Sequence, residues 1–116
     1  MNINTKLILI FVLFFFYNYF FHRTIVVCAW GSEGAAAGQN DVVITQSAFP
    51  PDKVVDTLGA GDTFNAAFIY GQVKNWDLKK SLKFACVVAG RKIGQKGFRG
   101  LGDGPLARSW IDEDER

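Results

Sequence analysis

The chain has 116 residues, about the size of one small domain, and its 13 basic and 11 acidic side chains leave a net charge of +2. That balance argues against a nucleic acid or an acidic membrane held by bulk charge. Two cysteines, Cys28 and Cys86, are too few for a disulfide framework, and the single histidine, His22, has no partner in zinc-ligand spacing. Both cysteines lie in apolar runs and read as buried, reduced thiols.

Residues 7–21 are almost wholly apolar and crowded with phenylalanine, with Lys6 before them and His22 and Arg23 after. The run is short for a bilayer span, which takes about 20 residues. It also lacks an obvious small-residue cleavage site. A buried strand pair is the other structural reading, but no turn residues stand between Leu7 and Tyr17. Residues 2–21 are built mostly from amino acids with AT-rich codons, and the pattern changes abruptly near Ile25. We therefore read the segment as of gene-model or read-through origin in preference to a signal or anchor.

Residues 24–30 form an apolar run that predicts a strand buried on both faces, as in a parallel sheet. Gly31-Ser32-Glu33-Gly34 ends it as a turn, which taken alone is an ordinary strand-ending turn. Residues 35–37 and 41–45 predict two short antiparallel strands around Gly38-Gln39-Asn40-Asp41. Pro50-Pro51 then hold the chain extended.

The most informative run is Asp56-Thr57-Leu58-Gly59-Ala60-Gly61-Asp62-Thr63-Phe64-Asn65. Gly59 and Gly61 permit a sharp turn and keep side chains away from a ligand. The residues that follow predict a helix over 62–73, whose unpaired N–H groups and dipole suit an anion. Asp62 stands at the same point as a candidate base. Glycine followed by aspartate at a helix start is common, because aspartate caps helices; only the longer run lifts the segment above that reading.

Asp77 predicts the N-cap of a second helix. Leu78, Leu82, Ala85, Ala89 and Ile93 give it one apolar stripe, read mainly as core, and Gly94 is placed as its C′ residue. Residues 97–104 read as loop, and 105–116 show no periodic pattern. Asp112-Glu113-Asp114-Glu115 reads as a solvated acidic end.

The run from Asp56 to Asp62 resembles the C-terminal signature D-T-x-G-A-G-D of the PfkB (ribokinase-like) carbohydrate kinases, with every fixed position filled. Ser47-Ala48-Phe49-Pro50-Pro51, Lys83-Phe84-Ala85-Cys86-Val87-Val88-Ala89-Gly90-Arg91-Lys92 and Gly94-Gln95-Lys96-Gly97-Phe98 resemble its ketohexokinase (fructokinase) branch. The resemblance spans residues 25–100 and only the C-terminal third of such kinases. It implies an α/β fold: a fragment of a three-layer ribokinase-like architecture, with a mostly parallel sheet and flanking helices. Residues 1–23 would be an apolar N-terminal segment (anchor, signal or gene-model artefact), 24–100 the family's C-terminal region and 101–116 a divergent tail.

The resemblance further implies ATP-dependent phosphorylation of a sugar hydroxyl, such as fructose to fructose 1-phosphate. Asp62 would be the catalytic base, and the N–H groups of Gly59, Ala60 and Gly61 an anion hole. Gly31, Ser32, Glu33, Gly34, Phe49, Cys86 and Ala89 would contact the nucleotide. Mg²⁺ would accompany ATP, with no dedicated metal cage, and Asp56 would be a structural carboxylate or help bind K⁺. A full-length relative would be a cytoplasmic homodimer. The family's sugar-binding residues lie toward its N-terminus and are not matched here, so this chain alone is expected to be inactive. A non-catalytic nucleotide-binding remnant, attached to membrane through residues 7–21, is the alternative. Ribokinase-like or adenosine kinase-like substrates also stay open.

Overall fold

The computed structural model describes residues 2–20 and 24–114. Residue 21 of the apolar run, His22, Arg23 and Glu115, all named above, lie outside the described residues. The first element is helix α1, Ile3–Phe20. Asn2 caps it: its Oδ1 accepts from the Thr5 N–H and the Thr5 hydroxyl, each at 2.8 Å. The strand-pair reading of residues 7–21 is thereby excluded. Ile10 is buried, whereas Leu7, Ile8, Phe11, Val12 and Phe15 are exposed. No helix among the described residues is long and apolar enough to cross a membrane.

Strands β1 (Val26–Ala29), β2 (Ala35–Gln39) and β3 (Val42–Gln46) form one sheet in the order β1-β2-β3. Both pairings are antiparallel, with Val27 opposite Ala37 and Ala37 opposite Ile44. The parallel sheet expected from residues 24–30 is not what these strands form. Only a short 3-10 turn, Gly31–Glu33, separates β1 from β2, and a parallel crossover needs a dozen residues or more. The expected two-sided burial holds instead for β2, the middle strand, where Ala35, Ala36 and Ala37 are all buried. The predicted hairpin forms with a tighter connection: Asn40 and Asp41 alone make the turn, Asn40 taking φ 55°.

Helices α2 (Ala60–Val73) and α3 (Leu78–Ile93) make an antiparallel pair over the sheet. Asp77 caps α3 as predicted, its Oδ1 accepting from the Lys80 N–H at 2.7 Å, a contact worth about 1 kcal/mol. The two helices pack tightly at Gly71, where a Cβ would lie 2.5 Å from Ser81 Oγ. Gln72 Nε2 donates to that same hydroxyl at 2.8 Å. Ala35 and Ala37 of the sheet meet Phe64, Phe68, Leu82 and Ala85 in the core. The expected stripe of α3 is partly right: Leu82 and Ala85 are fully buried, but Ser81, Phe84, Cys86, Val88 and Lys92 are buried as well.

Gly94 is not a left-handed C′ residue; it is the C-cap, with φ −84°. Its small size serves packing instead, since a Cβ there would stand 2.8 Å from Pro51 Cβ. The stretch after residue 97 holds a 3-10 turn, Leu101–Asp103, and then a helix the sequence reading missed, α4, Pro105–Asp114. Proline suits the first position of a helix. Ala107 is buried, and Trp110 and Ile111 pack on the same core. Trp110 meets Phe84 at a centroid distance of 5.9 Å, extending an aromatic cluster in which Phe84 and Trp76 stand edge to face at 5.1 Å.

Candidate active site

The site begins where the extended chain after β3 turns into α2. The N–H groups of Val55 and Asp56 both donate to the Ile93 carbonyl, at 2.7 and 3.1 Å, which ties this segment to the end of α3. Asp56 Oδ1 then accepts from the Leu58 N–H at 3.0 Å, a side-chain turn that starts the reversal. Gly59 completes it at φ 78°, a left-handed conformation that favours glycine. A side chain there would also strike Phe98, whose Cζ would be 2.5 Å from the Cβ.

Gly59 is the N-cap of α2 and offers no side-chain cap. The helix starts at Ala60, so Asp62 lies inside its first turn and not at the cap position. The Ala60 N–H donates to the Thr57 carbonyl at 3.2 Å, holding the turn closed. Of the three residues assigned to an anion hole, Ala60 is therefore engaged. The N–H groups of Gly59, Gly61 and Asp62 have no acceptor among the described residues. With the α2 dipole behind them, they form the electropositive end of the site.

A cleft of about 420 Å³ opens beside that end. Ala60 and Gly61 line it from α2, and Gly31, Ser32 and Gly34 from the turn after β1. Phe49 lines it from the extended segment, and Cys86 and Ala89 from α3. Residues far apart in sequence thus meet around one apolar hollow with donors at its edge. Gly34 belongs there by necessity: its φ is 91°, and a Cβ would come within 2.0 Å of the Gln46 carbonyl oxygen. Burial pushes the Cys86 thiol up to about 11, so the side chain meets the cleft as a neutral, apolar group.

Glu33 and Asp62 do not line this cleft. Glu33 is ion-paired with Lys6 of α1. Asp62 borders a neighbouring groove instead, together with Thr63, Phe98, Leu101 and Gly102. It is exposed there, one residue from Gly61. The unengaged N–H groups and the Asp62 carboxylate therefore border adjacent hollows at the first turn of α2.

The sequence reading gave no role to Lys92. It is fully buried, and its ammonium donates to the Asp56 carbonyl at 3.1 Å and to Asp56 Oδ2 at 3.2 Å. Asp56 is held below the usual carboxylate range, first by the Leu58 N–H and then by the Lys92 hydrogen bond. A signal was present: Ser81, Ala85, Val88 and Lys92 are spaced four, three and four apart, which puts a lysine on a core-facing stripe.

A family model, pfkB family carbohydrate kinase, matches residues 19–101. The chain belongs to the pfkB carbohydrate kinase family. Ketohexokinase of Mus musculus is 51% identical over 77 residues, which are 66% of this chain and 26% of that protein. Ribokinase of Arabidopsis thaliana is 41% identical over 73 residues, 62% of this chain and 19% of that one. The chain thus spans roughly a fifth to a quarter of these pfkB relatives' length. Among solved structures, the adenosine kinase of Sinorhizobium meliloti aligns with a TM-score of 0.64 and 29% identity, over 77% of this chain and 27% of that one. Arabidopsis thaliana ribokinase complexed with ribose and ATP aligns with a TM-score of 0.63 and 33% identity, over 79% of this chain and 29% of that one. The small sheet with its flanking helices is accordingly a piece of the ribokinase-like α/β fold.

The apolar cleft and the unengaged N–H groups of this pfkB segment fit a nucleotide. Among the described residues no three His, Cys, Asp or Glu side chains gather as a metal site. At Asp56 the carbonyl and Oδ2 accept from the Lys92 ammonium and Oδ1 accepts from the Leu58 N–H.

Proposed function

We propose that this chain carries the phosphate-cradling and base-bearing portion of an ATP-dependent sugar kinase. The observation that carries the reading is the convergence of Gly31, Ser32, Gly34, Phe49, Cys86 and Ala89 around one cleft that ends at Ala60 and Gly61. The adenine and ribose lie in the apolar part, and the phosphates point toward the start of α2. The N–H groups of Gly59 and Gly61 hold charge on the transferred phosphoryl group. Fixed in a turn before reaction, they need no reorganisation as charge shifts. Mg²⁺ arriving with ATP neutralises phosphate charge when bound.

Asp62 faces the adjoining groove, where the acceptor alcohol sits. Its carboxylate takes the hydroxyl proton while the sugar oxygen bonds to the γ-phosphorus and the bond to the ADP oxygen breaks. The acceptor is a ketohexose, fructose phosphorylated at its 1-hydroxyl. Support for that choice is the 51% identity to mouse ketohexokinase, against 41% to a ribokinase. The remaining walls of the sugar site come from parts of the fold that this chain does not match.

The test is a chimera in which this segment replaces the one it matches in mouse ketohexokinase. Fructose-dependent ADP release is expected, with ATP binding followed by calorimetry. A chimera that folds and binds ATP but phosphorylates ribose or adenosine in preference to fructose would reassign the substrate. One that folds without binding ATP would reject the cleft as a nucleotide site.

A further inference from the structure

Asp56 and Lys92 lie 36 positions apart and meet beneath the turn that opens α2. A lysine is fully buried only where its charge is paired. Here two oxygens of one residue supply the pairing, the carbonyl at 3.1 Å and the carboxylate Oδ2 at 3.2 Å. The ammonium also lies 5.2 Å from the centroid of the Phe98 ring, within reach of a cation–π contact. That ring in turn abuts Gly59, where a Cβ would stand 2.5 Å from the Phe98 Cζ. One charged atom is therefore hydrogen-bonded to Asp56, which starts the turn, and lies within cation–π reach of Phe98, which abuts Gly59.

A carbonyl, a carboxylate and an aromatic face are what a desolvated monovalent cation would seek, and an ammonium group is close to potassium in size and charge. We propose that Lys92 is a resident cation: it occupies the place of a monovalent metal ion against Asp56 and positions the Gly59–Gly61 turn without an added ion. Lys92 reaches no reacting atom and is a positioning residue. The link to phosphate binding rests on the function proposed above; the replacement of a metal ion does not.

The 116-residue chain is melted in KCl, NaCl and choline chloride at equal ionic strength, and ATP is titrated by calorimetry in the same three salts. The melting temperature and the ATP affinity are expected to be the same in all three. Lys92→Ala is expected to melt lower in choline chloride and to recover by about 5 °C or more in KCl, because the vacated space now takes the ion. Should Lys92→Ala fail to fold, Lys92→Met keeps the buried stem and removes only the charge; the expected result is a melting temperature below wild type in every salt, with ATP affinity lowered too. A wild-type melting temperature that rises by several degrees in KCl over choline chloride would overturn the proposal. So would a Lys92→Ala chain that melts identically in every salt, or a Lys92→Met chain that folds with wild-type stability and ATP affinity. If the wild type binds no ATP in any salt, the nucleotide reading fails, and the melts still decide the cation question.

Discussion

Gly90 of α3 faces Phe49 so directly that a Cβ on Gly90 would stand 1.9 Å from the Phe49 carbonyl oxygen. Backbone touches backbone at this point, and the contact sets the width of the cleft between Phe49 and Cys86. Gly90→Ala would gain helix propensity of at most about 1 kcal/mol. It would also force the extended segment off α3, an overpacking cost of about 1–3 kcal/mol. The second effect wins. Thermal melts should show lower stability, and ATP affinity should fall with it because the cleft is deformed.

Gly59 and Gly61 look alike in sequence and should behave oppositely on substitution. Gly59→Ala places a side chain at φ 78° and against Phe98, with a left-handed penalty of about 1–2 kcal/mol. Around Gly61 nothing lies within 4 Å of a Cβ, so Gly61→Ala is free of clash. It should stabilise the chain by about 0.4–1 kcal/mol through the unfolded state. The same methyl projects at the edge of the cleft, so ATP should bind more weakly. A Gly61→Ala chain that is more stable and yet binds less ATP, by melting and calorimetry, is the signature expected.

Asp62 is in the first turn of α2 and caps nothing, so Asp62→Asn should leave the fold unchanged. In the mouse ketohexokinase chimera it should lower turnover by about two to four orders of magnitude, the scale of losing a positioned base. ATP affinity should hold or rise slightly as a negative charge near the phosphates disappears. The 116-residue chain by itself should give no fructose-dependent ADP release, because it matches only 26% of the ketohexokinase it resembles and not the part expected to hold the sugar hydroxyl. Turnover by Asp62→Asn near the parent rate would remove the base assignment.

Acid should act through Asp56. Its carboxyl is held below the ordinary range, which lies at about 3.9 in unfolded chains. The ionised form is favoured on folding, so its contribution to stability is complete above about pH 4 and is lost as pH falls through the lower folded value. Melting temperatures measured downward from pH 5 should decline more steeply in the wild type than in Asp56→Asn, which has no such proton to take up.

Much of the site was legible because it depends on local chemistry. The glycine turn, the Asp77 cap and the hairpin after Gly34 each need particular residues in a short span, and those residues are visible in order. The antiparallel pairing of β1 was obscured because a four-residue apolar strand carries no mark of its partner's direction; only the length of the following turn does. Helix α4 was missed because Ala107, Trp110 and Ile111 are a small set, and Arg108, Ser109 and Asp112 between them read as solvent. Their meaning depends on Phe84, a neighbour far away in sequence. Lys92 was overlooked for a related reason: a lysine at a helix end is ordinary, and its partner lies on another element. The Lys6–Glu33 ion pair was not legible for the same reason, since its two members lie on different elements.

Residues 7–13 of helix α1 are apolar on every side, so water repels each side of that stretch alike. Hydrophobicity alone does not fix which way that stretch is rolled. Azimuth is chosen by two features: the Lys6–Glu33 ion pair and the burial of Ile10. Neutralising Lys6 should therefore leave helicity unchanged by circular dichroism while a spin label on α1 reports a wider spread of distances to the sheet. The helix would then behave less as a fixed strut than as a roller on a bearing, with a single charge serving as its key.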